Sequence, residues 1–374
     1  MGALGQVSFF VSLAVVILVH EAAHFGVAKL FDIKVTEFFV GFGPRLWSTR
    51  RGETEYGVKA IPAGGYVKIA GMNPFEEVRS EDRPRTYGAK PRWQRALVIV
   101  AGPLTHVVLA FLCFGAWLSF VGADVARSPV VTSVAPSMSG SESPASAAGI
   151  RAGDRIVAVG DIENPTSAQL IRFTRDHVDE PISIAVLRDD RRMTLEVTPR
   201  FATVGDRKVG RIGVVIVPAR QRLGPVASIA GAGTLVVDTT RQTVLGIGKV
   251  FGPEGLGRVV QQLFSSEPRR ASDGGVVSVV GIGRAVGQTA ERGHFGDILV
   301  ILATVNIFIG LINLLPLPPF DGGHLAVLAI EAVRGRSVDM RKVAPVAAVV
   351  AGFFILFSGL VLYLDIVKPV NLTP

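Results

Sequence analysis

The chain has 374 residues, 49% of them apolar, and a mean hydropathy of +0.43, a balance that argues against an ordinary water-soluble domain and points to a polytopic membrane protein. Its net charge of +8 calls for no nucleic acid, because anchoring at an anionic inner leaflet explains it. The single cysteine, Cys113, excludes an intrachain disulfide; set between Leu112 and Phe114 with no base beside it, it reads as a packing residue.

The first element is an apolar run, Val7 to Val19, closed by His20-Glu21-Ala22-Ala23-His24. On a helix, residues four apart share a face, so both imidazoles can reach one Zn2+ while Glu21 addresses a bound water. Three ionisable side chains within five residues of a membrane helix need a partner or a function. A signal peptide fits poorly, because no Lys or Arg precedes the run and no small-residue cleavage site precedes the histidines.

Apolar stretches at 7–30, 96–122, 298–317 and 344–367 can each cross a hydrocarbon core, which needs about 20 helical residues. A fifth stretch, Val226 to Phe251, contains Asp238, Arg241, Lys249 and four glycines and reads as a surface or interfacial amphipathic helix. Lys and Arg crowd residues 25–95, and the loop at 322–343 adds Arg334, Arg336, Arg341 and Lys342. The positive-inside rule places both segments in the cytoplasm, with the two termini and 123–297 outside the cell membrane.

After the first helix, alternating stretches around Phe38–Val40, Glu53–Ile61 and Tyr66–Ile69, with a turn at Pro62–Gly65, read as a β-hairpin. It can be ordinary cytoplasmic structure, or it can dip into the membrane beside the metal, where irregular backbone survives only under protein or water cover. Outside the membrane, a Ser/Pro/Gly-rich linker (Pro136 to Pro144) leads into Ala148-Gly149-Ile150-Arg151-Ala152-Gly153-Asp154-Arg155-Ile156. A helix over Ser167–His177 and strands over Ile182–Leu187 and Met193–Val197 follow. This run resembles a circularly permuted bacterial PDZ domain, a module that binds extended peptides by strand addition; a plain β-domain acting as a spacer is the alternative. The chain thus divides into a membrane core at 1–122, a PDZ-like domain at 123–205, an extracytoplasmic amphipathic segment at 206–297 and a second membrane core at 298–374.

The third span ends in Asn313-Leu314-Leu315-Pro316-Leu317-Pro318-Pro319-Phe320-Asp321-Gly322-Gly323-His324. Its prolines and glycines should break a helix. If the first and third spans run in the same direction, Asp321 and the two histidines share a level and close a His-His-carboxylate site with a fourth position for water, as in catalytic zinc sites. His324 competes with Asp321 as a ligand. Asp321 is favoured because Gly322 and Gly323 disfavour continued helix, so the two side chains should diverge, and an unpaired carboxylate nearer the membrane interior is costly. His177 and His294 are expected to face solvent.

Taken together, H-E-x-x-H, Gly41-Phe42-Gly43-Pro44, Pro62-Ala63-Gly64-Gly65-Tyr66, Val279-Val280-Gly281-Ile282 and N-x-x-P-x-P-x-x-D-G at Asn313–Gly322 resemble the bacterial site-2 proteases. These are intramembrane zinc metalloproteases related to the regulator-of-sigma-E protease. The expected architecture is four transmembrane helices, a membrane-associated β-hairpin and one extracytoplasmic PDZ-like domain. The resemblance implies Glu21 as general base, His20, His24 and Asp321 as zinc ligands, and Asn313 and Pro316 as substrate-positioning residues. It also implies single-span membrane proteins as substrates, typically anti-sigma factors already trimmed outside, with the PDZ-like module receiving the trimmed end. One departure stands out: the family's usual G-P-x-x-N is here Gly102-Pro103-Leu104-Thr105-His106, and His106 reads as a polar packing residue and not a fourth ligand. A metal transporter should show inverted repeats, which are not found, and an idle scaffold gives Glu21 no reason to sit between two ligands.

Overall fold

The computed structural model describes residues 2–73, 75–138, 140–204, 207–265, 269 and 276–369. The chain divides into two compact units, Leu118–Gly224 forming one and the flanking segments the other.

Helix α1 (Gly2–Leu30) carries the apolar run and the H-E-x-x-H residues. The chain reverses at Asp32, whose φ of 51° is left-handed, and enters strands β1 (Val35–Arg51) and β2 (Thr54–Ile69). Arg45–Arg51 pairs with Lys59–Thr54, whereas Glu37–Val40 is registered with both Glu55–Val58 and Lys68–Gly65. The two long strands therefore fold into a small curled sheet with residues 65–69 at its edge. Ile33, Val35 and Ile69 are buried together with Ala28, Val98 and Ile99. At about 1.5–3 kcal/mol per buried aliphatic side chain, this cluster fixes the sheet to the helix ends. The sheet stands beside the motif, since a Cβ at Gly65 would lie 3.5 Å from Cγ of Glu21. Helix α2 (Arg92–Ala116) returns antiparallel to α1, with Trp93 edge-on to Phe31.

The second unit holds β3 (Ala123–Val134), β4 (Ser137–Met138), β5 (Ser141–Glu142), α3 (Pro144–Ala147), β6 (Arg155–Val159) and β7 (Ile162–Glu163). It continues with α4 (Ser167–Asp176), β8 (Ile182–Arg188), β9 (Arg191–Val197), β10 (Arg200–Val204), β11 (Arg207–Arg211) and β12 (Val214–Gln221). The main sheet has the order β12-β3-β6-β8-β9, with β7 on β6. Ile156, Ile184, Val186 and Leu170 fill the core between sheet and α4. The Gly-Asp turn read from the sequence has a structural use: Asp154 is buried and takes two 2.7 Å bonds from Arg188 and one from the Arg151 N–H. Burial pushes the Asp154 carboxyl up, but Arg188 outweighs it and holds the group below its ordinary value. The unit runs past residue 205, the boundary expected from the sequence. β12 pairs along β3 and forms one edge of the sheet, so 214–221 belong here and not to the following segment.

The chain then re-enters the first unit through α5 (Pro225–Phe251), α6 (Pro253–Phe264), α7 (Val279–Glu291), α8 (Ile298–Asn313), α9 (Asp321–Arg334) and α10 (Ala344–Val367). Among the described residues, four segments are long and apolar enough to cross a membrane: Gly2–Leu30, Arg92–Val121, Phe295–Asn313 and Met340–Val367. Trp117 Nε1, beyond the C-terminal end of α2, donates to Asp297 at the start of α8 (3.1 Å). α8 therefore runs parallel to α1 and opposite to α2. α7 packs on the first turns of α1 through Gly5 and Ala290, and its first N–H groups meet Asp365 at the end of α10, so the N-terminus of α1 and the C-terminus of α10 lie at one end.

α5 departs from the helix expected to lie flat on the membrane surface. Ala232 packs at Gly115 near the C-terminal end of α2, and Phe251 packs among Phe353, Phe354 and Phe357, midway along α10. α6 then returns, and Lys368, just past α10, donates to the carbonyls of Gln262 and Leu263. The pair forms a helical hairpin packed between the end of α2 and α10. Small residues let α5 approach α2 closely, which the interrupted apolar pattern concealed. An even number of passes leaves the direction of α8 unchanged.

Candidate metal centre

His20 and His24 lie one turn apart on α1, and both are buried. Their Nε2 atoms are 3.1 Å apart, and each faces Oδ2 of Asp321, at 3.3 Å from His20 and 3.4 Å from His24. Ring protonation follows from the outer bonds. Nδ1 of His24 is 2.7 Å from the Val98 carbonyl, which can only accept, so Nδ1 carries the proton and Nε2 keeps its lone pair. His20 Nδ1 is 3.1 Å from Nε2 of His106, on the side of the ring away from Asp321. Two imidazole nitrogens and a carboxylate oxygen thus converge, a donor set suited to one cation. Three ligands at about 2.0–2.1 Å from a tetrahedral zinc stand about 3.3 Å from one another, and the three observed separations match that triangle. Among the described residues no other group of three such side chains converges in this way.

Asp321 comes from the far end of the sequence. α8 stops at Asn313, the chain turns through Leu314–Phe320, and α9 begins at Asp321 itself. The glycines do not end a helix, as their composition suggested; they lie inside the first turn of one. Their smallness serves packing: a Cβ at Gly322 would collide with the Leu314 and Leu315 carbonyls, and one at Gly323 with Pro318. His324 also lies on α9, facing a separate ≈ 360 Å3 groove with Val67 and Pro318, outside the triangle. On the other helix pair, Gly102 lets α2 pass over the two imidazoles, since a Cβ there would collide with both rings.

Glu21 opens onto a cavity of ≈ 240 Å3 with His20, His106, Asn313, Phe320 and Asp321. It stands beside the edge of the curled sheet, where a Cβ at Gly65 would lie 3.5 Å from its Cγ. The structure thus brings together His20, Glu21, His24, Asp321 and Asn313, whereas Pro316 is exposed and outside the cavity lining. Sequence reasoning missed Asn306, which is buried on α8 and bonded to His106 at 3.1 Å. An amide midway along an apolar span was the signal available. His106 itself belongs to this bonded chain and is more than packing.

Four apolar helices and a cluster of two histidines and a carboxylate describe the class: a membrane protein with a candidate metal centre. The chain matches peptidase family M50 over residues 8–358. It is 34% identical to the zinc metalloprotease Rip1 of Mycolicibacterium smegmatis, over 99% of this chain and 98% of that one. Identity to the Rip1 proteins of Mycobacterium tuberculosis and Mycobacterium bovis is 32% and 33%, in each case over 98% of both chains. The chain belongs to peptidase family M50, the site-2 protease family, and is a zinc metalloprotease.

Proposed function

We propose that the protein hydrolyses peptide bonds in or beside the transmembrane segment of single-span membrane proteins. His20, His24 and Asp321 hold the metal and Glu21 acts as general base. The observation that carries this reading is the convergence of three metal-ligating side chains next to a carboxylate that opens on a cavity, all among the apolar helices. Bound zinc supplies Lewis-acid polarisation of the scissile carbonyl and an activated water. Glu21, beside the edge of the curled sheet, would serve as general base, holding a proton on its carboxylate and returning it to the leaving amine. Asn313, at the cavity wall, orients the substrate backbone; the exposed position of Pro316 gives it at most a role in shaping the turn. A substrate segment must be extended to be cut, and the sheet edge at 65–69 beside Glu21 offers backbone pairing to it.

In this reading the active site faces the cytoplasm, both termini lie outside, and the second unit is an extracytoplasmic PDZ-like domain. Its groove of ≈ 730 Å3 between α4 and the edge strand β12 has an apolar floor of Leu170, Ile212 and Ile216, with Arg175 and Arg211 in its lining. That pairing suits the free carboxylate of a trimmed substrate with an apolar end, and membrane-anchored anti-sigma factors are the substrate class. Glu21→Gln tests the catalytic assignment. Purified protein should keep near-stoichiometric zinc while cleavage of a co-expressed single-span substrate falls by several orders of magnitude. Turnover by the zinc-loaded variant at near the wild-type rate would refute it.

A further inference from the structure

We propose that His106 and Asn306 form a relay that fixes the ring orientation and proton position of His20, so that two residues remote from the metal help set its affinity. The inference rests on the ligand assignment above. His106 on α2 and Asn306 on α8 are 1% and 2% exposed, and each makes its polar contacts inside the helix bundle. The directions of the bonds are determined from the outside inward. Asn306 donates from Nδ2 to the Leu302 carbonyl (2.9 Å), which turns its Oδ1 toward His106. That oxygen can only accept, so His106 Nδ1, 3.1 Å away, carries the proton. His106 Nε2 is then a lone pair, and His20 Nδ1, 3.1 Å from it, must donate. The only site left on His20 is the Nε2 lone pair aimed at Asp321 and His24.

Reversing any one link would set two N–H groups or two lone pairs face to face in a buried bundle. The relay therefore selects one tautomer of His20, the one able to bind metal through Nε2. His24 obtains the same selection from a single backbone carbonyl, which no side-chain substitution removes. His20 instead depends on two side chains from two different helices, a support open to mutation. His106 lies beyond the far side of the His20 ring from the triangle, which rules it out as a fourth ligand and makes it a positioning residue.

The test uses full-length, detergent-purified protein and zinc competition against a chromophoric chelator, with a thermal melt to confirm folding. Gln at 106 can place an acceptor where Nε2 stood and still reach His20; Asn is shorter and reaches only Asn306. H106L and N306L should weaken zinc binding by about 10–100-fold, the loss typical of ligand-orienting partners. H106Q should stay within about threefold of wild type, and H106N should fall with H106L. Wild-type affinity in folded H106L overturns the relay, as does H106Q binding no better than H106N. If H106L fails to fold, the Gln–Asn comparison decides alone. D321A runs alongside: if it keeps wild-type affinity, the ligand assignment itself has failed, whereas a weakened D321A with unaffected position 106 variants refutes the relay only.

Discussion

Gly102→Ala tests the metal centre without removing any group proposed to bind metal or substrate. A methyl group at this position would stand 2.6 Å from Cε1 of His20 and 2.7 Å from Cε1 of His24, and closer still to Nε2 of His24. Ordinary contact begins near 3.4 Å and the nearest atom, Nε2 of His24, would stand at 2.3 Å, so about 1.1 Å must be recovered by moving the rings or α2. Metal–ligand distances tolerate only about 0.2 Å, so a ring displaced by that amount leaves the triangle. If α2 moves instead, the bond from His24 to the Val98 carbonyl stretches and the ring loses its outer support. Overpacking of this kind costs about 1–3 kcal/mol, which corresponds to a loss of roughly fivefold to a hundredfold in zinc affinity. Competition titration of purified protein and cleavage of a single-span substrate read the two consequences. A G102A protein with wild-type zinc affinity and wild-type turnover would show that α2 does not press on the histidines, and the reasoning from close approach would fall.

Purified Asp321→Ala should emerge largely free of zinc, while His324→Ala keeps its metal; metal analysis showing the opposite order would move the third ligand to His324. Cysteine labelling in a Cys113→Ser background should reach a cysteine at Gly52 only from the cytoplasm and one at Asp189 only from outside, and inside labelling of 189 would invert the topology. Glu53 accepts from Arg85 and Lys29, and Arg85 foremost holds its carboxyl down at about 2. Since the folded value is below that of the unfolded chain, this tie stabilises the curled sheet above about pH 4.5 and is lost as pH falls toward 2. Hydrogen exchange of residues 35–69 should therefore accelerate across that interval in wild type and be fast throughout in Glu53→Gln; a pH-independent wild type would contradict it.

The four spans were legible because each is an uninterrupted apolar stretch, and His20, Glu21 and His24 because a helix brings i and i+4 together. Asp321 was legible from level alone, although it parts from His324 for a reason other than helix breaking: the glycines between them start a helix and permit close packing. What stayed hidden depends on partners distant in sequence. Nothing local to 226–251 says that Ala232 will pack on Gly115, or that β12 will complete a sheet begun ninety residues earlier by β3. His106 stood out only as a departure from a pattern. Its meaning required Asn306, which the chain supplies two hundred positions later.

The proposed donors come from opposite ends of the chain, two on α1 and one on α9, with the whole second unit translated between them. A growing polypeptide that has released α1 and the second unit holds half a centre, and a histidine pair alone is a weak trap for zinc. Proteolytic competence therefore arrives late in synthesis, when α8 has inserted and Asp321 reaches its place. A ribosome stalled before that point leaves an inert membrane protein, not an unregulated protease. The same arrangement makes the ion a clasp between the N-terminal and C-terminal halves, so chelation should loosen α9 from α1 as well as silence the enzyme.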